Sequence, residues 1–287
     1  MKKWLMIGLA GLIALLGICG GGAWWFLQDA APDYDADRAL PGLAAEVEVL
    51  YDAHGIPHIY AENERDAYRA LGYIHAEERL FQMELIRRVA AGRLAEILGP
   101  DLVETDAFFR TIGLHVQAEK MAEDFRIEND VLYVQAATAY LEGINTFIEK
   151  GATPAEFAIL GIPKAPFTDV DLFNVAGYMA FGFAAGFKID PVLERLYQTH
   201  GQAYLNDLSI DYRPGTQIIP THRPDTTQSK PTLSAAVHKA LEKLPIPLLV
   251  GSNGWVIGGT KTADGQVIFA NDPHIGYSQP AVWFEAA

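Results

Sequence analysis

LLVGSNGWVIGG, residues 248–259, is an apolar run broken by Gly251-Ser252-Asn253, three residue types that belong to turns, before it resumes as Trp255-Val256-Ile257. As a structural feature the break reads as a bulge or a corner in a strand. As a chemical feature it reads as a self-cleavage site. Gly251 has no side chain, so the Ser252 hydroxyl can approach the Gly251 carbonyl, and glycine tolerates the strained backbone that an N-to-O acyl shift requires. Hydrolysis of the resulting ester leaves Ser252 as a new N-terminus. Its α-amino group, titrating at about 7.7 to 8.0 in model peptides, is then a general base on the same residue as the nucleophile.

The residues on either side extend this reading. Residues 255–258 and 267–270 have the pattern of two strands, with Thr262-Ala263-Asp264-Gly265 as the loop between them. A four-residue loop pairs Lys261 with Gln266 and, counted back, sets Ser252 opposite Ile275 and beside His274. Asn271, Asp272 and His274 then reach the end of the sheet where Ser252 lies. Upstream, residues 212–234 are rich in Pro, Thr, Arg and Gln and read as an exposed linker. A short helix over 233–244 and the Pro245-Ile246-Pro247 break lead from that linker into the opening stretch.

Closer to the N-terminus, residues 46–62 read as a hairpin turning at His54-Gly55, after which Asn63 is placed to cap a helix with Asp66 in the capping-box position. Ala67, Leu71, Ile74, Phe81 and Leu85 fall on one face at helical spacing, and the helix should run to Gly92, with a further turn or two closing at Gly99. Glu78 lies on that stripe, where it calls for an arginine partner. Residues 106–148 are helical in composition, residues 153–166 are broken by prolines, and an apolar helix is expected over 169–185, its aromatic and methionine content suiting a core.

With 22 Lys and Arg against 36 Asp and Glu, the formal charge is −14, and no basic cluster is present to release counterions from a nucleic acid. Nucleic acid is excluded as a partner class. Residues 4–27 are uncharged and apolar, with Lys2-Lys3 before them and Asp29, Asp33, Asp35 and Asp37 after, so the expectation is a membrane helix with the body outside the cytoplasm, in the periplasm or exterior. A cleaved signal peptide that leaves a secreted periplasmic protein is the alternative. Cys19, the single cysteine, lies within this segment, so the remainder has no thiol.

GSNGWVIGGTKTADGQVIFANDPHIGYSQPAVWFE, residues 252–285 with the preceding glycine, resembles the start of the catalytic chain of the penicillin acylase family of N-terminal-nucleophile amidohydrolases. Residues 52–99 resemble that family's first chain through a G-x-P-H-I turn, G-Y-x-H-A and R-L-x-Q-M on a helix, and a G-R-x-A-E end. The resemblance implies an α+β chain: a mainly helical region leading into an αββα sandwich, autocatalytic removal of a spacer, and hydrolysis of N-acyl amides through an acyl-enzyme. It divides the chain into an anchor or signal segment (1–28), an α-chain-like region (29–211), a spacer (212–251) and the start of a catalytic β-chain (252–287). It assigns cleavage to Gly251 and Ser252, catalysis to Ser252 and His274, and the acyl pocket to Met179, Phe183, Ile275 and Val282. Penicillin G acylases carry glutamine where this chain has His274, whereas histidine there matches cephalosporin, aculeacin and N-acyl-homoserine-lactone acylases. The family's chemistry needs no cofactor, although a structural Ca2+ ion is implied, with Lys188-Ile189-Asp190 fitting its site loosely. An α/β heterodimer is implied after processing.

The family's oxyanion donors lie well downstream of its nucleophile, so the expectation is a truncated precursor with an incomplete sandwich. The rival expectation is a catalytically inert, membrane-anchored homologue acting as a binding module.

Overall fold

A computed structural model describes residues 2–127, 130–184, 186–208, 240–245 and 251–287. The expected linker at 212–234, and all but the end of the expected helix over 233–244, lie outside the described residues. Ten helices and four strands follow in the order α1 (Lys2–Asp29), β1 (Glu48–Tyr51), β2 (Pro57–Tyr60), α2 (Glu64–Ala91), α3 (Ala95–Leu98), α4 (Val103–Ile112), α5 (Leu114–Ile127), α6 (Leu132–Lys150), α7 (Ala155–Leu160), α8 (Asp169–Phe183), α9 (Gly186–His200), α10 (Gln202–Asp207), β3 (Gly251–Ile257) and β4 (Ile268–His274) among these residues. This is the mixed helical and small-sheet chain the sequence led us to expect. Among the described residues no helix is long and apolar enough to cross a membrane, so the expected anchor finds no support, although the apolar N-terminal run is helical as α1.

The chain divides into two compact units, one of Met1–Arg87, Val116–Phe173 and Gln279–Ala287, the other of Arg88–His115 and Asn174–Ser278. In the first, β1 and β2 form the expected hairpin, with Val49 paired to Ile59. Its turn is held by the Asp52 carboxylate, which accepts from His54 N at 2.8 Å and Ile56 N at 3.0 Å, while Gly55 supplies the positive φ. Asn63 caps α2 as expected, its Oδ1 accepting from Asp66 N at 2.9 Å. The buried Asp66 carboxylate also accepts from Asn63 Nδ2 (2.7 Å), Ala44 N and Ala45 N. Burial alone would raise its pKa, but these donors and Arg69 hold it below the usual carboxylate value.

The face of α2 differs from the one expected. Of the five stripe residues only Ile74 is fully buried; the innermost row instead runs Ala76, Leu80, Met83, Arg87 and Ala90 at the same helical period. Close approach of α6 explains the rotation. A Cβ on Gly72 would collide with the Tyr140 carbonyl, and one on Gly143 with the Arg69 carbonyl, so two glycines let the helix backbones touch. Ala76, Leu80 and Met83 then pack with Leu141, Ile144, Phe147, Ile148, Phe157 and Phe167.

Glu78, expected to pair with an arginine, instead lies near the Tyr34 hydroxyl, whose pKa burial and this carboxylate push up to about 12. A carboxylate that does pair with arginine in the core is Glu84. Arg87 Nε donates to Glu84 Oε2 at 2.7 Å, its other nitrogens donate to the carbonyls of Pro166 (3.0 Å) and Ala165 (3.1 Å), and its guanidinium carbon lies 4.0 Å from the Phe167 ring centroid.

In the second unit, Asp106 accepts from Leu94 N (2.8 Å) and Ala95 N (2.9 Å), satisfying the free donors at the start of α3. Gly92 has φ +63 and gives its carbonyl to Arg110 Nε at 2.7 Å, which fixes the turn after α2. Phe108, Phe109, Tyr178 and Phe181 form an edge-packed aromatic cluster joining α4 to α8.

Candidate active site

The Gly251-Ser252-Asn253 stretch is neither a turn nor a corner. It is the start of β3, which pairs antiparallel with β4 without interruption from Gly251↔His274 to Ile257↔Ile268. The expected register is two residues out: Ser252 faces Pro273, where Ile275 was expected. The cause is the loop. Residues 259–261 make a 3-10 turn, and the Thr262 hydroxyl bonds the carbonyls of Gly259 (3.1 Å) and Gln266 (2.7 Å), so the connection is longer than four residues. An even slip keeps every side chain on its expected face.

Directly opposed residues share a face, which puts His274 with Gly251, Asn253 and Asp272, and Ser252 with Pro273 on the other side. His274 therefore addresses the backbone at Gly251 more directly than the Ser252 hydroxyl: its Nδ1 lies 4.0 Å from where a Cβ on Gly251 would stand. The other ring nitrogen, Nε2, is 2.9 Å from Asp272 Oδ2 and 3.1 Å from Asn253 Nδ2. One nitrogen cannot donate to the first and accept from the second. The charged carboxylate is the stronger partner, which puts the proton on Nε2 and leaves Nδ1 as an acceptor facing the Gly251-Ser252 step.

Asp272 and Asn253 are the residues that the site assignment from sequence passed over. Their signal was the D-x-H spacing, which places both side chains on one strand face, and the position of Asn253 directly across from Asp272.

Three of the expected pocket residues lie in the same unit as Ser252. Met179 and Phe183 are on α8 and 42% and 44% exposed, and Ile275 directly follows β4. Val282 is grouped with the other unit, where it lines a cavity of about 630 Å³ with Leu71, His75, Tyr140 and Phe284. Among the described residues no group of three or more His, Cys, Asp or Glu side chains could hold a metal ion, and the Asp190 side chain lies outside them.

Residues 46–287 match the penicillin amidase family. The chain is 34% identical over 271 residues to penicillin acylase 2 proenzyme of Pseudomonas sp. strain SE83, covering 90% of this chain and 34% of that one. It is 28% identical over 282 residues to the acyl-homoserine lactone acylase QuiP of Pseudomonas aeruginosa, covering 94% and 32%. A solved structure of thermostable penicillin G acylase from Alcaligenes faecalis aligns with 24% identity and a TM-score of 0.47 over 62% of this chain and 98% of that one. The chain thus spans about a third of the length of the curated relatives it matches. With more than three quarters of its length inside the family match, the chain belongs to the penicillin amidase family.

Proposed function

We propose that this chain is part of the precursor of an N-acyl amide hydrolase that cuts itself between Gly251 and Ser252 and then uses Ser252 as an N-terminal nucleophile. The observation that carries the reading is the Gly251-Ser252 step in β3, with Ser252 exposed, set across from His274-Pro273 with the His274 acceptor nitrogen turned toward it. In the first reaction Ser252 Oγ attacks the Gly251 carbonyl carbon, the peptide C–N bond breaks, and the nitrogen keeps the electron pair and gains a proton. Water then hydrolyses the ester to a Gly251 carboxylate and a free Ser252 amine and hydroxyl. In the second, the hydroxyl attacks the substrate amide, passing its proton through the Ser252 amine to the leaving nitrogen, and water releases the acid. His274, held by Asp272, orients the amine.

Family membership supports an amide substrate, and the relatives named as penicillin and acyl-homoserine lactone acylases frame its class. His274 favours fatty-acyl amides such as homoserine lactones over phenylacetyl penicillins, by resemblance. The hairpin supports an αββα sandwich completed by sequence that the relatives have outside the matched third. Trp255 and Ile268 on one face, and Val256 and Phe269 on the other, are all exposed, as in a strand pair meant to be covered on both sides. Lys2-Lys3 at the start of α1, ahead of its apolar run, supports export of the body.

The test is hydrolysis of N-acyl homoserine lactones and phenylacetyl amides by the complete polypeptide. Ser252→Ala should abolish turnover; Ser252→Cys should still be processed but lose most amidase activity, because the larger sulfur misplaces the attack. Full turnover in Ser252→Ala would refute the assignment.

A further inference from the structure

Residues 279–287 follow the proposed cleavage point in sequence, yet they belong to the unit built from residues that precede it. Three kinds of contact hold them there. Gln82 Nε2 donates to the Ala281 carbonyl at 3.1 Å. The Phe284 ring stacks on the His75 imidazole, with centroids 4.7 Å apart and planes 15° from parallel, and the Arg79 guanidinium carbon lies 6.0 Å from the same ring centroid. At the end of the segment, Ala287 N donates to the Pro57 carbonyl at 3.0 Å and its own carbonyl accepts from Ile59 N at 2.7 Å.

This last pair is the pattern of a parallel bridge, in which one residue spans the carbonyl and the N–H on either side of His58. Ala287 therefore adds to the edge of β2 that β1 leaves open. Two sequence motifs meet on the segment: Gly55-Ile56-Pro57-His58-Ile59 supplies the strand edge, and Arg79-Leu80-Phe81-Gln82-Met83 supplies one turn of helix bearing Arg79 and Gln82. Proline at position 57 suits this role, since only its carbonyl is used toward Ala287.

We infer that residues 279–287 are a clasp that keeps the chain beginning at Ser252 bound to the chain ending at Gly251 after the bond between them is cut. The inference rests on the cleavage proposed above. None of the clasp contacts involves that bond, so cutting it leaves all of them in place. The clasp joins β2 and α2, laid down before the break, to a segment laid down after it, by backbone pairing and one aromatic stack.

The experiment separates the clasp from self-processing. In the 287-residue chain carrying Ser252→Ala, a protease site is inserted between Pro247 and Leu248, the purified chain is cut, and retention of the released piece is followed by size-exclusion chromatography and by dilution. The two pieces should remain associated. Phe284→Ala together with Ala287→Pro, both in the released piece and so harmless to the fold of the helical unit, should raise the dissociation constant at least tenfold, and Gln82→Ala should raise it less. A parental dissociation constant in the double variant would overturn the clasp. The result does not depend on whether the parent cleaves itself, which the mass of the unmodified precursor reports separately.

Discussion

The helical unit around α2 and the β3–β4 hairpin treat their polar groups in opposite ways. In the first, a buried Asp66 is surrounded by donors and a buried Arg87 is divided between Glu84 and two backbone carbonyls. The exceptions among the described residues are Arg69 Nε, Glu78 Oε1 and Arg79 Nε, buried with no hydrogen-bond partner. In the hairpin, His274 bonds Asp272 beside Asn253 on an exposed face, and large apolar side chains stand in water beside them. Closed polar networks hold a shape; an open one leaves an imidazole acceptor available to a backbone bond. The contrast sets the α2 region apart as the stable part and the hairpin as the place of the proposed chemistry.

Three substitutions can break that contrast. The largest effect is expected at Arg87. Arg87→Ala strands the buried Glu84 carboxylate and leaves the Pro166 and Ala165 carbonyls without a donor, which should cost about 3 to 5 kcal/mol in urea unfolding. A loss below about 1 kcal/mol would show that the network is not what holds the unit.

The next effect comes from His75, whose Nδ1 is 2.6 Å from the Tyr140 hydroxyl. Burial, and then the nearby Arg79, lower its pKa to about 4. The unfolded chain protonates near 6.5 and the folded one near 4, so the unfolded state alone gains a proton as pH falls between these values. Stability should therefore be full above about pH 6.5 and fall by about 2 kcal/mol between pH 7 and pH 5 from this group. His75→Gln removes that part of the slope. The difference between parent and variant is the quantity to measure, because Glu77, whose pKa burial raises, titrates in both.

The smallest effect is expected in the hairpin. Phe269→Ser removes an exposed ring and should change the stability of this chain by no more than about 0.5 kcal/mol. A loss of several kcal/mol would mean that the hairpin is already packed, against the contrast drawn above.

The same contrast explains what the sequence made legible. The Asn63 cap, the turn at Gly55 and the ends at Gly92 and Gly99 were readable because each depends on a local residue type. The buried face of α2 was not, since Gly72 matters only when Gly143 of a distant helix meets its neighbour, and nothing within α2 announces that approach. Glu84 was missed for the same reason: its partner Arg87 is local, but the carbonyls that complete the site come from residues 165 and 166. In the hairpin the strands were legible and the register was not, because Thr262 reaches across the loop and lengthens it. Ser252 drew notice through its residue type after a glycine and His274 through the hairpin count, which also brought Asp272 to the same end of the sheet, whereas Asn253 gains meaning only from the observed pairing.

The proposed function turns on the bond between Gly251 and Ser252. Intact-mass spectrometry of the purified complete polypeptide tests it most directly, with Ser252→Ala as the control. The expected result is a chain whose mass begins at Ser252 in the parent and a single uncut polypeptide in the alanine variant. An active parent that remains one uncut chain would contradict it.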